Sequence, residues 1–438
     1  MSQDYSLREQ RAWYLYDWAN SGFFTTVIAL FLGPYLTSIA KTAADAQGFV
    51  HPLGIPVDAR SYWSYMISLS VGLQVFVLPI VGALADYGRR KKEYLAGTAY
   101  IGSAATIGLF FLEGDSYLLG GALFLVANVA FGASVVVYNS FLPEIAPVEQ
   151  RDAVSSKGWA FGYAGGGTLL ALNLLLYTRA ASFGISEAMA VRISLASAGV
   201  WAALFTIPAL LALRNRGPAK PIPPGQTAIG TAVSQLMHTI RDVRKYPETS
   251  TFLIAYLLYN DAIQTILAMA TQFGNDELKI PVSTLTIVIL LVQFAALAGA
   301  LLFNRLSVSI GAKKSILVSL VAWTAVPVYA YLFVKGTVEF FVMAGVVAVV
   351  MGGSQALSRS LFAQFVPKGK EAEYFSIYEI SDKGTSWIGP IVFGLALQFT
   401  KSYRSALLSL IVFFVVGFFV LLRVNVEKGE REVLFQES

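Results

Sequence analysis

The sequence predicts an all-α protein that crosses a membrane twelve times, with six spans on each side of one long polar connection. Three observations predict it. Of 438 residues, 56% are hydrophobic and only 13% charged, with a mean hydropathy of +0.62, whereas soluble domains carry about 25% charged residues. Apolar stretches of about 20 residues, the length that crosses a hydrocarbon core of roughly 30 Å, recur along the chain. Lys and Arg segregate between alternate connections, 22 against 8.

The spans fall at 12 to 40, 63 to 86, 94 to 112, 117 to 140, 156 to 178, 191 to 213, 250 to 273, 284 to 304, 315 to 334, 338 to 362, 374 to 399 and 403 to 422. The first is too long for a signal-peptide core and follows the mixed polar segment Gln3 to Arg11, so an uncleaved helix is expected. Connections on the side of the N-terminus hold the 22 basic residues, which by the positive-inside rule places both termini in the cytoplasm and the protein in the inner membrane. The net charge of +5 is then a topology signal, and no nucleic-acid partner is expected. With no cysteine, disulfides, thiolate nucleophiles and cysteine-held zinc are excluded. Two histidines, His51 and His238, do not make a histidine-rich metal site, and no cofactor is expected.

The connection Arg214 to Thr249 divides the chain into 1–213, a 214–249 linker and 250–438. Pro218, Pro221, Pro223 and Pro224 forbid a helix at its start. Beyond them Ile229, Ala232, Val233, Leu236, Met237, Ile240 and Val243 recur at helical spacing, which predicts an amphipathic helix on the cytoplasmic surface with His238 on its polar side. The tail Glu432 to Gln436 resembles a viral protease recognition site, and no function is assigned to it.

Between spans two and three, Gly82-Ala83-Leu84-Ala85-Asp86-Tyr87-Gly88-Arg89-Arg90-Lys91-Lys92 sets an acid at a helix end before a basic run. It resembles the cytoplasmic loop signature of the major facilitator superfamily, with Asp86 and Gly88 one residue closer than usual and Tyr87 in a basic position. Gly311-Ala312-Lys313-Lys314 is a degenerate second copy, with Asn304 and Val308 where the first glycine and the acid would be. The openings of the halves also match: Tyr14-Leu15-Tyr16-Asp17-Trp18-Ala19-Asn20-Ser21 and Tyr256-Leu257-Leu258-Tyr259-Asn260-Asp261-Ala262-Ile263-Gln264. With Tyr138 to Glu144, Gly158 to Gly166 and Gly353 to Phe362, these segments closely resemble the branch of that superfamily named for the autophagy-related vacuolar amino-acid effluxer. The resemblance spans nearly the whole chain. It implies two six-helix bundles around a central cavity, and an amino-acid-like solute. The Gly162 to Gly167 stretch lacks a following Gly-Lys-Ser/Thr and lies within an apolar span, so close helix packing is expected there and not a nucleotide loop.

Charge inside a span costs about 2.5 to 3.5 kcal/mol on insertion scales, so the intramembrane polar residues are the functional candidates. Asp17, Asn20, Tyr138, Asn139, Asn260, Asp261, Gln264, Gln355 and Arg359 are expected to bind substrate. Asp261, about eleven residues into span seven, is expected near the midplane as a cation or proton site. Asp86 and Arg90 of the loop signature, with Glu144, Lys157, Arg359, Glu379, Asp382 and Lys383, are expected to form a cytoplasmic gate, Glu379 standing four residues before Lys383 as in an intrahelical pair. No HExxH, P-loop or serine–histidine arrangement exists, and the longest loop has about 36 residues, which disfavours an enzyme and a sensor. A secondary transporter working by alternating access remains, with protons and lipids as its other partners and a monomer as its expected state. A lipid or amphiphile transporter of the same fold is the second reading, because a cavity with few charges could pass an acyl chain.

Overall fold

A computed structural model describes residues 7–87, 90–147, 150–216, 227, 230–231, 234, 237, 241–366, 374, 378 and 386–434. The chain separates into two compact units, Met1–Ser234 and Gln235–Ser438, whose boundary falls within the expected linker. The first holds α1 (Leu7–Ala43), α2 (Tyr62–Tyr87), α3 (Lys91–Phe111), α4 (Tyr117–Ile145), α5 (Arg151–Thr178) and α6 (Glu187–Ala212). The second holds α7 (Pro247–Glu277), α8 (Val282–Ile310), α9 (Ala312–Leu332), α10 (Thr337–Ala363), α11 (Ile388–Thr400), α12 (Tyr403–Arg423) and α13 (Val426–Leu434). Among the described residues eleven helices are long and apolar enough to span a membrane, and α11 is a shorter apolar one. Most of the N-terminal part expected for span eleven lies outside the described residues, as does most of the expected amphipathic helix, of which Val243 is buried and Met237 exposed.

The first span is longer than its apolar run. It contains a π-helical segment, Phe23–Phe31. Pro34 follows; a proline has no amide to donate to the carbonyl four residues back and its ring crowds that carbonyl, which a wider turn relieves. α7 likewise finishes in a π-helical turn, Phe273–Glu277.

The two units repeat one packing plan. In the first, α1 packs on α5 and α6, α2 on α4, and α3 on α4 and α6. In the second, α7 packs on α11 and α12, α8 on α10, and α9 on α10 and α12. Side chains that face away from these contacts are apolar: Val200, Leu204, Ile207 and Leu211 form an exposed stripe along α6, as suits a lipid-facing helix. Several polar groups inside the units are paired. Asn128 donates from Nδ2 to Ser70 Oγ (2.8 Å), and Gln74 donates from Nε2 to the Asn128 carbonyl (3.0 Å). Between α1 and α2 the chain forms a small hairpin, Phe49–Val50 against Val57–Asp58, braced by Asp45, which accepts from the amides of Gln47 and Phe49 and contacts His51 Nε2 at 2.9 Å.

Candidate functional site

In the first unit, α5 lies against α1 through glycine. A side-chain carbon at Gly158 would stand 2.5 Å from the Trp13 ring and 3.2 Å from Asp17 Oδ2; one at Gly162 would meet Ser21 Oγ at 2.7 Å, and one at Gly165 the Trp18 carbonyl oxygen at 2.4 Å. Of the stretch expected to pack closely, Gly162 and Gly165 lie against α1 whereas Gly167 has nothing within 4 Å, and Gly158 extends the seam by one turn. On the α1 side this seam is polar. Asp17 is half-buried, and the buried Tyr138 hydroxyl of α4 has no hydrogen-bond partner among the described residues. Tyr138 is itself fixed: its ring stacks on Trp13 with centroids 4.2 Å apart, and Trp13 Nε1 donates to its carbonyl at 3.0 Å. One residue before Asp17, the Tyr16 hydroxyl donates to Ser134 Oγ (2.5 Å). Asn20 is buried and its Oδ1 has no hydrogen-bond partner among the described residues. Asn139, next to Tyr138, is exposed.

In the second unit, Asp261 lies close to the middle of α7 and is 2% exposed. Its Oδ2 accepts from the Gly389 amide (2.8 Å) in the first turn of α11, a position where helix amides favour a carboxylate. Its Oδ1 is buried with no hydrogen-bond partner among the described residues. Gly389 is required there, since an added carbon would stand 2.2 Å from Thr265 Oγ1, whose hydroxyl donates to the Asp261 carbonyl at 2.7 Å. Asn260 is buried, Gln264 and Gln355 are half-buried, and Arg359 is exposed near the end of α10. The Tyr259 hydroxyl pairs with Ser358 Oγ at 2.6 Å.

The profile of the family described as "Vacuole effluxer Atg22 like" matches residues 6–434. The chain belongs to this family. It is 31% identical to the "Uncharacterized MFS-type transporter YxiO" of Bacillus subtilis (strain 168), over 94% of each chain. "Autophagy-related protein 22" of Pyricularia oryzae is 26% identical over 98% of this chain and 77% of its own length. Among solved structures, the nucleoside transporter NupG superposes with a TM-score of 0.67 (16% identity, 97% and 99% of the two chains) and a D-xylose-proton symporter with 0.68 (14%, 97% and 99%). The protein is thus a membrane transporter of the major facilitator type.

For this Atg22-like chain, the expected gate divides. Glu379, Asp382 and Lys383 lie outside the described residues, Asp86 stands in the last turn of α2, Arg90 caps α3, and Lys157 is exposed. Glu144 pairs within its own unit: its Oε1 is 2.5 Å from Lys91 Nζ, a buried lysine that also donates to the Ser140 carbonyl (3.3 Å). Sequence reading passed over Lys91 because it stands in a basic run. It equally missed that an acid in the opening turns of each half is held by a base after the sixth helix of that half. Glu9 accepts from Arg216 at 3.0 and 2.6 Å, and Glu248 from Lys428 at 2.9 Å. Lys313 of the degenerate loop copy likewise holds the end of α12, donating to the carbonyls of Leu422 (2.8 Å) and Val424 (2.7 Å).

Proposed function

We propose that the chain is a secondary active transporter that moves a small, polar, amino-acid-like solute across the cytoplasmic membrane by alternating access, with both termini in the cytoplasm and with Asp261 as the group that takes up the coupling cation, a proton being the first candidate. The observation that carries the coupling role is the Asp261 carboxylate, buried mid-span with one oxygen on the Gly389 amide and the other without a hydrogen-bond partner among the described residues. Burial favours its neutral form and the helix amide its charged form, so a bound cation or proton alters the contact between α7 and α11. Transporter sites lie near the membrane midplane, and Asp261, close to the middle of α7, is expected there.

Proteoliposomes screened with labelled amino acids and with fluorescent lipids test the substrate class. Amino-acid uptake is expected; lipid movement alone would replace this reading with the lipid or amphiphile one, which draws on an apolar groove of about 620 Å³ lined by Val321, Val328, Tyr329, Phe333 and Phe418. Orientation rests on the 22 to 8 distribution of basic residues. Because the chain has no cysteine, a single Gly48→Cys change is a clean probe. It should react with an impermeant reagent from outside the cell, and labelling only from the cytoplasmic side would invert the topology.

A further inference from the structure

We propose that the outer half of the second unit seats one phospholipid, with an acyl chain in the groove between α9 and α12 and the phosphate beside Lys335. It rests on the transport reading for the side of the membrane and adds a resident lipid to it. The groove encloses about 620 Å³, a volume in the range of small-molecule sites. Val321 and Val328 of α9, with its C-cap Phe333, line one side, and Val415, Phe418 and Phe419 of α12 the other. From Val321 to Phe333 it follows α9 for roughly 18 Å, against about 15 Å for one leaflet of a 30 Å core. Its outer end is fixed by hydrogen bonds. Arg404 donates from Nη1 to the Ala330 carbonyl (2.8 Å) and from Nε to Glu277 Oε1 (3.0 Å), which ties the start of α12 to the last turn of α9. There the Phe333 ring stacks on Tyr329, centroids 5.7 Å apart. Lys335 is exposed two residues beyond Phe333, so the two Cα atoms lie within about 7 Å. Glu339 accepts from the Gly336 amide at 3.0 Å. The Lys335 ammonium stands at the groove mouth.

Lipid-facing helices are apolar throughout, so shape decides the occupant. Where helices of the second unit meet closely the contact is glycine: an added carbon at Gly352 would stand 2.0 Å from the Ala296 carbonyl oxygen, and one at Gly299 2.2 Å from that of Val349. Transmembrane helices associate through such small residues. The groove is lined by no glycine, and Val321, Phe333 and Phe419 project from its sides 59%, 58% and 59% exposed. They hold off a helix from a second copy of the chain. A slender, flexible alkyl chain fits between them. One exposed lysine binds a free phosphate weakly, whereas each buried methylene contributes roughly a fourfold factor in affinity. The groove therefore supplies most of the binding, and Lys335 sets which end of the lipid lies outermost.

Native mass spectrometry of the full-length protein, delipidated in detergent and titrated with palmitoyl-oleoyl phosphatidylglycerol, counts the lipids bound. One copy is expected to bind at least about tenfold more tightly than those that follow. Ala325→Trp, which fills an exposed position of the groove, should remove that copy, while Leu204→Trp on the exposed stripe of α6 should keep it. Lys335→Glu should weaken it about threefold, and diacylglycerol with the same chains should lose a similar factor. Lys335 lies beyond the end of α9, so its variant tests the seat even if Ala325→Trp does not fold. Unchanged first-copy binding in Ala325→Trp or Lys335→Glu, or one affinity for every bound lipid, would overturn the seat. A dimer dissolved by Ala325→Trp would give the groove to a second copy, and lipid movement across liposomes blocked by it would make the groove a path; either overturns the proposal. A tightly held lipid in a protein that moves no solute would sustain the seat and remove the transport reading; solute flux with no such lipid would do the reverse.

Discussion

The two halves share a frame and differ in where they keep their acid. In each, a tyrosine of the first helix bonds a serine of the fourth, Tyr16 to Ser134 at 2.5 Å and Tyr259 to Ser358 at 2.6 Å. One turn earlier an aromatic residue sits in each first helix, Trp13 stacked on Tyr138 in one half and Tyr256 stacked on Tyr378 in the other. After the shared tyrosine the halves part. The first continues Asp17-Trp18, the second Asn260-Asp261, so the acid has moved one residue, about 100° round the helix. At the first position it is half-buried, against the glycine seam of α5. At the second it is buried on the amide of Gly389. A single step in sequence thus separates a half-buried acid from one that grips a neighbouring helix.

The largest contrast should appear at the helix-end ion pairs. Arg216→Ala leaves Glu9, 2% exposed, without its counter-charge, and such a loss costs about 3–5 kcal/mol. Lys428→Ala removes a 56%-exposed partner and should cost about 0–1 kcal/mol. Thermal unfolding in detergent would show it, and equal losses would mean that the two pairs are not counterparts of different burial. The glycine seam comes next. Gly165→Ala drives a carbon against the Trp18 backbone and should destabilise by about 1–3 kcal/mol. Gly167→Ala, with nothing within 4 Å, should be silent in the same assay. Tyr16→Phe and Tyr259→Phe should then cost about 1 kcal/mol each if the shared frame contributes equally to both halves. The smallest effect belongs to the first half alone, in the hairpin that follows α1. Hydrogen bonds from the Phe49 amide and His51 hold the Asp45 carboxyl below its ordinary pKa of 3.8. A depressed pKa stabilises above the ordinary carboxylate range and is lost as pH falls through the lowered value. A spin label at Leu53, on the hairpin tip, should therefore become more mobile only at such acid pH.

Much of the frame is legible in composition. The spans follow from runs of apolar residues, because a lipid-facing helix needs them whatever its neighbours. Gly162 to Gly167 reads as a close-packing stretch for the same local reason, and the openings around Asp17 and Asp261 mark the candidate site by charge alone. What escapes is whatever depends on pairing at long range. Glu9 and Arg216 stand 207 residues apart, and Asp261 and Gly389 128 apart; nothing at either end names the other. Lys91 is hidden among four consecutive bases, and only packing singles it out as the partner of Glu144. The π-helical segment of α1 depends on a hydrogen-bond shift near Pro34, where the hydrophobic pattern continues unbroken.

The central claim is that the acid of the first half binds solute while that of the second couples its movement to a cation. Leucine counterflow and pH-driven leucine accumulation, measured on the same proteoliposomes for the wild-type, Asp17→Asn and Asp261→Asn proteins, test it most directly. Asp261→Asn should retain counterflow and lose accumulation, and Asp17→Asn should lose both. Wild-type accumulation by Asp261→Asn, or wild-type counterflow by Asp17→Asn, would contradict the division.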